Sequence, residues 1–388
     1  MTGAGSAEAS GAAVAGVVCD IDRRYMAAAV ALARRGLGRV WPNPSVGALI
    51  VADTGGAPVV VGRGVTSPPG GPHAEVNALR QAGDRARGAT CYVTLEPCSH
   101  HGRTPPCSAA LVSAGVRRVV IGIADPNRRV SGRGIGMLRD AGIAVTVGVE
   151  AVACRDLHLG HSLRVLAQRP AVTLKLALSA DGFIGRLGAG QIAITGSLSK
   201  RFAHGIRARS DGILVGVGTV LADDPQLTCR LPGLEGRSPV RVVLDPNARL
   251  PLGSRLVRSA AEVPVWAVVA NAADPDRLGA LARAGVLIIR VPAGPEGIDP
   301  LVALTALSAR GITRVMVEGG SRVAAAFLRA DMVDEAWLVH GPASLGAGGV
   351  LPFGAEGADA LAGTGRFHVV ETGIWGEDHY VRYRRKEA

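Results

Sequence analysis

One local pattern recurs along most of this chain: a short run of apolar residues is followed by a stretch with helical spacing. Such alternation predicts helices packed on a largely parallel β-sheet. In the first series, from about residue 20 to 165, the strand-like runs are "SVGALIV", "PVVVGRGV", "ATCYVTL", "RRVVIGIA" and "IAVTVGV". The helical stretches between them are "HAEVNALRQAG", "PPCSAALVSAG" and "GIGMLRDAG", and "VEAVACRDLHLGHSLRVLAQ" closes the series.

A second series begins directly after Arg169 and Pro170, which punctuate the closing helix. Its strand-like runs are "AVTLKLALS", "DGILVGVG", "PVRVVLD", "VPVWAVVA", "GVLIIRV", "RVMVEGG", "EAWLVHG" and "HYVRYRR". A chain of 388 residues exceeds one ordinary hydrophobic core, and the usual domain size of about 150 residues favours two domains. We therefore predict α/β domains at residues 20–166 and 167–388.

The first residues, "MTGAGSAEASGAAVAGVVC", are small and apolar, but they lack the positive segment that opens a signal peptide. We interpret residues 1–19 as a flexible leader and expect a cytoplasmic protein. Apolar runs also stay well short of a membrane-spanning helix, which needs about 18 residues. We therefore expect no membrane partner.

The net charge of +11 is carried mainly by arginine, which favours anionic partners such as phosphorylated metabolites or nucleic acid. Aromatic residues make up only 3% of the chain, too few for the base-stacking surfaces of single-strand binders. The basic residues also lack a stripe interleaved with aromatics. We therefore predict small phosphorylated ligands and no nucleic acid.

Two of the six cysteines, Cys98 and Cys107, flank a loop of eight residues in "LEPCSHHGRTPPC". In a reducing compartment such cysteines are metal ligands or core thiols rather than a disulfide. Upstream, "GPHAEVNALRQAG" places His73 and Glu75 at the start of a helix whose apolar face is marked by Val76, Leu79 and Ala82. A catalytic zinc takes three protein ligands and leaves one position for water, and the histidine and two cysteines supply three.

Deamination also needs a group that carries a proton to the departing amine, and Glu75 is a carboxylate next to a metal ligand. This is the His-x-Glu and Pro-Cys logic of zinc-dependent nucleobase deaminases, although the two cysteines are usually separated by two residues. Alternatives remain at this stage: His100 or His101 completing a closed structural zinc site, a Cys98–Cys107 disulfide, or helix capping by His73 and Glu75.

Four stretches together resemble the first half of the bifunctional riboflavin biosynthesis family: "PNPSVGALIV", "GPHAEVNAL", "TLEPCSHHGRTPPC" and "DPNRRVSGRGIGMLRDAGI". Members join a diaminohydroxyphosphoribosylaminopyrimidine deaminase to a 5-amino-6-(5-phosphoribosylamino)uracil reductase. The resemblance implies a cytidine-deaminase-like α/β/α fold with zinc on His73, Cys98 and Cys107 and with Glu75 as the catalytic residue. It also implies that Ser99, His101 and Arg103 line the entry for the substrate and that Asn43 helps to orient it. The alternatives are turn formation by Ser99 and Asn43 and a solvated Arg103.

The second half lacks a GxGxxG motif followed by an acidic residue at the right distance. "VMVEGGSRVAAAFL" instead runs from a strand through two glycines into a helix, with Ser321 as the expected cap. Free amides at a helix start suit a phosphate, although an ordinary tight turn would have the same sequence.

The resemblance continues through "LKLALSADGFI", "ARSDGILVGVGTVLADDPQLTCR", "VRVVLD" and "VEGGS". These stretches resemble the reductase domain of the same family, which implies a dihydrofolate-reductase-like fold that takes NADPH. The implied coenzyme contacts are Ala177, Ala193, Thr219, Asp223, Pro246, Gly320, Ser321 and Arg322. The implied substrate contacts are Gln191, Arg207, Leu227, Arg230 and Glu318. One stretch departs from the family, because Gln191 and Ala193 stand where members usually carry serine and tryptophan.

Charge chemistry adds to these assignments, because guanidinium groups such as Arg207 and Arg230 bind phosphate in a bidentate fork. Lys175 lies within an apolar strand, where a buried ammonium needs a partner, so it is a further site candidate unless the strand lies at an edge. We therefore predict an enzyme that first deaminates a ribosylaminopyrimidine phosphate and then reduces its ribose. The resemblance further implies that the enzyme is a homo-oligomer. Two rival hypotheses are a zinc deaminase acting on tRNA or single strands and a non-catalytic NADPH- or zinc-binding regulator.

Overall fold

The protein is represented by a computed structural model, which describes residues 19–100, 105–127 and 131–386. Contacts divide the chain into two compact units. The first unit comprises the chain up to Ala33 together with Val46–Val65 and Pro72–Asp156, and the second comprises Arg34–Ser45, Thr66–Gly71 and the chain from Leu157 onward. Apart from Cys19, the predicted leader lies outside the described residues, and the domain boundary near residue 166 stays a prediction.

The first unit contains five described strands and the helices that cover them. The strands are β1 (Gly47–Ala52), β2 (Val59–Val65), β3 (Thr90–Leu95), β4 (Arg118–Ile123) and β5 (Ala144–Val147). The helices are α1 (Asp20–Ala33), α2 (Ala74–Ala82), α3 (Cys107–Ser113), α4 (Arg133–Asp140) and α5 (Ala151–Ala167), and the division between the units falls within α5. Each strand-like run of the first series forms a strand, as predicted.

The sheet of the first unit has the order β2-β1-β3-β4-β5. Strands β3, β4 and β5 are parallel, whereas β1 pairs antiparallel with both β2 and β3. The expectation of a largely parallel sheet therefore holds for only one side of this sheet. The carboxyl end of β3 leads directly into the cysteine loop.

Helix α2 packs against β2 through small residues. A Cβ atom at Gly62 or Gly64 would meet the backbone oxygens of Ala78 and Ala74 at 2.2 and 2.0 Å, so the glycines permit this close approach. The buried face of α2 consequently includes Ala74, Ala78 and Ala82. Of the predicted apolar face, Ala82 is buried and Leu79 packs partly buried against the core. Val76 is half-buried and does not belong to that core cluster.

The second unit is built on a sheet of nine described strands. These are β6 (Ala171–Leu178), β7 (Gly212–Gly216), β8 (Val240–Leu244), β9 (Val265–Ala270), β10 (Leu287–Val291), β11 (Arg314–Val317), β12 (Glu335–His340), β13 (Phe367–Trp375) and β14 (Asp378–Arg385). The helices are α6 (Ser197–Arg207), α7 (Val217–Asp223), α8 (Arg255–Arg258), α9 (Pro275–Arg283), α10 (Pro300–Ala309), α11 (Ser321–Arg329) and α12 (Asp359–Gly363).

The strand order of this sheet is β10-β9-β8-β7-β11-β6-β12-β14-β13. The strands from β10 to β12 are parallel, and a final antiparallel hairpin adds β14 and β13. Ligands of open parallel sheets bind at the carboxyl ends of the strands. Among the described helices none is long and apolar enough to cross a membrane.

Candidate active sites

Three elements of the first unit bring together one histidine and two cysteines. His73 directly precedes α2, Cys98 lies in the loop after β3, and Cys107 is the first residue of α3. The Nδ1 atom of His73 is 3.6 Å from the Sγ atom of Cys98 and 3.3 Å from that of Cys107. The three ligand atoms all lie within 4.8 Å of one another.

This spacing fits a tetrahedral zinc ion. Zinc–sulfur and zinc–nitrogen distances of about 2.3 and 2.1 Å at tetrahedral angles separate sulfur and nitrogen by about 3.6 Å. The amide of Cys107 donates to the Cys98 sulfur at 3.3 Å, and a hydrogen bond from the Cys107 thiol lowers the pKa of Cys98. A stabilised thiolate is the form that binds metal.

Glu75 lies beside this cluster on the first turn of α2. The residue is only 4% exposed, and burial raises the pKa of its carboxyl to about 7. A carboxyl group in this position can hold or release a proton next to the metal ligands without binding the metal itself. The described cluster contains the three predicted ligands and does not include Glu75.

Glu96 fixes the loop that carries Cys98, and sequence reasoning did not identify it. This buried carboxylate accepts hydrogen bonds from the amides of Gly134 and Ile135 at the start of α4, at 3.0 and 3.2 Å. Its other oxygen accepts from the amides of Asp125 and Gly132, at 3.2 and 3.0 Å. An acidic residue directly before Pro-Cys is the sequence signal that could have indicated this anchor.

The remaining predicted residues of the deaminase site differ in how the structure describes them. Ser99 is half-buried, His100 is exposed, and His101 and Arg103 lie outside the described residues. Asn43 belongs to Arg34–Ser45, a segment of the second unit, so its predicted role stays a prediction. Cys98 and Cys107 are free thiols, so the structure contains no disulfide between them.

A cavity of about 1340 Å³ opens at the carboxyl ends of the parallel strands in the second unit. Thirteen of the predicted coenzyme, substrate and further candidate residues line it: Lys175, Ala177, Gln191, Ala193, Arg207, Thr219, Asp223, Arg230, Pro246, Glu318, Gly320, Ser321 and Arg322. Leu227 does not line the cavity, because its side chain is buried in an apolar cluster. Its predicted substrate contact therefore has no side-chain support.

A chain of three charged groups crosses the floor of this cavity. The Nζ atom of Lys175 is 3.7 Å from one carboxylate oxygen of Glu318, and Arg207 donates to the other at 2.6 Å. Burial lowers the pKa of Lys175. Burial alone would raise the pKa of Glu318, but Arg207 and Lys175 hold it below its ordinary value. Strand β6 is central, so Lys175 is a paired, buried ammonium rather than an edge lysine.

Two further predictions about the second unit need correction. Ser321 is not the cap of α11, since Gly320 occupies that position and the Ser321 hydroxyl accepts from the amide of Gly354 at 2.8 Å. The amide of Gly320 is also not free, because it donates to Thr219 Oγ1 at 3.2 Å. Helix α11 therefore begins after Gly320 without a hydrogen bond from a capping side chain.

His204 lines the same cavity and was missed by sequence reasoning. Burial lowers its pKa to about 4, with the cations Arg207 and Arg230 contributing. The neutral ring accepts from the amide of Arg230 through Nδ1 at 3.2 Å. Its spacing of three residues from Arg207 on α6 is the signal that places both on one helix face.

Comparison with protein families gives two matches. The model of the cytidine and deoxycytidylate deaminase zinc-binding region matches residues 20–123, and that of the RibD C-terminal domain matches residues 170–374. The riboflavin biosynthesis protein RibD of Aquifex aeolicus is 36% identical over 369 residues, which are 95% of this chain and 100% of that protein. RibD of Mycobacterium tuberculosis H37Rv is 40% identical over 314 residues, 80% of this chain and 81% of that protein.

Solved structures agree with these matches. Acinetobacter baumannii RibD, form 1, superposes with a TM-score of 0.82 at 36% identity and covers 94% of this chain and 99% of that one. The diaminohydroxyphosphoribosylaminopyrimidine deaminase/5-amino-6-(5-phosphoribosylamino)uracil reductase of Thermotoga maritima gives a TM-score of 0.77 at 35% identity, with the same coverage. The predicted cytidine-deaminase-like and dihydrofolate-reductase-like fold classes are confirmed.

Fold and sites together define a zinc-dependent deaminase joined to an NADPH-dependent reductase. The chain belongs to the RibD family of riboflavin biosynthesis proteins. It is therefore a bifunctional enzyme of riboflavin biosynthesis, a hydrolase in its first half and an oxidoreductase in its second.

Proposed function

We propose that the enzyme removes an amino group from 2,5-diamino-6-(5-phosphoribosylamino)pyrimidin-4(3H)-one and then reduces the ribosyl group of the product to ribityl. The observation that carries this proposal is the pairing of two complete sites in one chain. The first is the His73, Cys98 and Cys107 cluster beside Glu75, and the second is the cavity that holds Lys175 and Glu318.

In the first reaction water replaces the amino group, which leaves as ammonia. His73, Cys98 and Cys107 would hold the zinc ion, which supplies a water that is nucleophilic at neutral pH. Glu75 would take up a proton from the attacking water and would deliver it to the departing nitrogen. Its burial supports this role, because bulk solvent cannot compete for the proton.

In the second reaction C1′ of the ribose gains a hydride, its bond to the ring oxygen breaks, and that oxygen gains a proton. NADPH, when bound, supplies the hydride. The Lys175 ammonium is positioned to donate the proton. Burial lowers its pKa, and the Glu318 carboxylate at 3.7 Å opposes that effect by favouring the charged form. Arg207 orients Glu318 through hydrogen bonds of 3.1 and 2.6 Å.

The phosphate of the substrate binds chiefly to Arg230. The fork of Arg207 is already occupied by the Glu318 carboxylate and by the carbonyl of Thr228 at 3.0 Å. Arg230 is exposed within the cavity lining, and the neutral His204 fixes its backbone. Arg207 thus orients Glu318 and Arg230 binds the phosphate, whereas the sequence predicted that both guanidinium groups bind the phosphate.

We further propose that the enzyme is a cytoplasmic homo-oligomer that does not act on nucleic acid. The aromatic content of 3% supports the last point, since single-strand binding relies on stacked bases. Buried ionic groups in both sites favour a catalytic protein over a regulator.

The direct test is to incubate the full chain with the diaminopyrimidine substrate, with and without NADPH. Ammonia release and the loss of reduced-coenzyme absorbance are followed separately. We expect ammonia in both reactions and coenzyme oxidation only when NADPH is present. Deamination of tRNA or single strands without activity on this substrate would support the first rival hypothesis, and absence of both signals would support the regulator.

A further inference from the structure

The turn that follows β8 is a rigid part of the cavity rim in the second unit. The buried carboxylate of Asp245 accepts from the amide of Leu250 at 2.7 Å, and the carbonyl of Asp245 accepts from Ala248 at 3.1 Å. Arg277 donates to the carbonyl of Ala248 at 2.6 Å. The backbone of this turn is therefore fixed by its own hydrogen bonds before any ligand binds.

Arg249 lies on this turn and lines the cavity beside Pro246. Its side chain is 50% exposed, and its Nε atom is 4.0 Å from the nearest Asp245 oxygen, beyond hydrogen-bond distance. The Asp245 carboxylate thus attracts the guanidinium without accepting a hydrogen bond from it, and the N–H groups of Arg249 can donate to a ligand.

Arg249, on the turn after β8, is separated from the charged group of Lys175 on β6 by two strands of the sheet. In strand order β8 is three strands from β6, with β7 and β11 between them. At about 4.8 Å per strand this corresponds to about 14 Å. The cavity lining runs from Lys175 on β6 to Arg249 after β8, so it would accommodate an extended dinucleotide with its nicotinamide near Lys175 and its adenosine toward β8.

The other four arginines of the described cavity lining lie elsewhere. Arg186 is in the segment after β6 and forms an isolated β-bridge with Gly349. Arg207 is bound to Glu318, and Arg230 lies beside His204 of α6. The Nη2 atom of Arg322 is 3.7 Å from the position that a Cβ at Gly218 would take, which puts it over the start of α7. Arg249 is the arginine that follows β8 in the described cavity lining.

We propose that Arg249 binds the 2′-phosphate of NADPH and makes the reductase select NADPH over NADH. A guanidinium binds a phosphate in a bidentate fork, whereas it gains little from the 2′-hydroxyl of NADH. Dinucleotide sites that prefer NADH present an acidic residue to that hydroxyl, while an arginine accommodates the phosphate. Asp245 is fully buried and bonded to its own turn, so it does not serve as such an acid.

This inference rests on the proposed reductase function, and binding without turnover tests it separately. The full-length chain and its Arg249→Gln variant are titrated with NADP⁺, NAD⁺ and adenosine 2′,5′-bisphosphate, which carries the 2′-phosphate without a nicotinamide. Arg290→Gln is the matched control, because it removes an exposed arginine of β10 that does not line the cavity. Thermal melting confirms that each variant is folded.

Arg249→Gln should weaken the binding of NADP⁺ and of adenosine 2′,5′-bisphosphate by about 10- to 100-fold, because it removes charge-assisted hydrogen bonds to the phosphate. The affinity for NAD⁺ should change by less than about twofold. Arg249→Lys should retain part of the preference. If the variant lost affinity for NADP⁺ and NAD⁺ equally, or lost affinity for neither, the assignment would be overturned. Failure of the unsubstituted chain to bind NADP⁺ would instead refute the reductase proposal on which the assignment depends.

Discussion

At the scale of single residues, the proposed zinc site has no ligand to spare. Cys107→Ser replaces one of three donors with a hydroxyl that binds zinc poorly, so zinc content and deamination should both fall to background. Cys19→Ser removes an exposed cysteine outside the cluster and should retain about one zinc per chain. Metal analysis and ammonia release measure the two effects, and a fully metallated Cys107→Ser protein that still deaminates would refute the ligand assignment.

Glu318 offers a second test at this scale, because it separates two buried cations. Glu318→Gln leaves Lys175 and Arg207 without their carboxylate and should destabilise the protein by about 3 kcal/mol, while abolishing reduction. The pKa of Glu318 is lowered, so its contribution to stability is present at neutral pH and is lost as pH falls below the ordinary glutamate range near 4.5. Urea midpoints of both proteins should therefore converge in acid, and a difference that is constant with pH would contradict the ion-pair account.

Individual residues were also where sequence reasoning was weakest. His73, Cys98 and Cys107 form a recognisable spaced pattern, and the structure brings them together. Glu96 and His204 carry no such pattern, because their roles arise from amides and cations that fold back from distant segments. The local signals, an acidic residue before Pro-Cys and a spacing of three residues from Arg207, mark these positions but do not reveal the amides that bind them.

At the scale of elements, the hydrogen bonds of Glu96 join the cysteine loop to α4, and their contribution to the free energy of unfolding can be measured. Glu96→Ala leaves four amides without their acceptor and should cost about 3 kcal/mol of unfolding free energy. It should also weaken zinc binding, because Cys98 lies two residues away on the same loop. Asp140→Ala, an exposed acid at the other end of α4, should change neither.

Chelator competition and denaturant unfolding measure the two effects of Glu96→Ala, and the charge-transfer spectrum of the cobalt-substituted protein reports the cysteine geometry. A variant that loses stability while its zinc affinity and cobalt spectrum remain those of the unsubstituted chain would limit Glu96 to a structural role. A Cβ at Gly134 would meet the Pro97 carbonyl oxygen at 2.0 Å, so a bulkier residue at this position would disrupt the contact between α4 and the cysteine loop.

Most elements could be predicted because buried parallel strands are short apolar runs, and each predicted run forms a strand. Strand β13 was missed, since it lies at a sheet edge and its exposed residues mix polar and apolar side chains. The membership of Arg34–Ser45 in the second unit was also missed, because long-range contacts leave no periodic signal in a local window. Local pattern thus predicts elements well and their distant partners poorly.

At the scale of the whole molecule, the two sites share no residue, and each lies within one compact unit. Because the two reactions use different residues, a point substitution in one site should abolish one activity and leave the other intact. Glu75→Gln removes the proton carrier of deamination and should lower ammonia release by at least about 100-fold, the usual effect of losing a general acid or base. Zinc content should persist, since the residue is not in the ligand cluster.

The same variant should reduce supplied deaminated intermediate at the rate of the unsubstituted chain. Arg207→Ala should do the reverse: it frees Glu318 from the orientation that supports Lys175, so reduction should fall while deamination and zinc content persist. Coupled assays with each supplied substrate measure both directions. A folded, zinc-loaded Glu75→Gln protein that could not reduce supplied intermediate would mean that the two chemistries depend on one shared or strictly coupled site, and the two-site account would have to be abandoned.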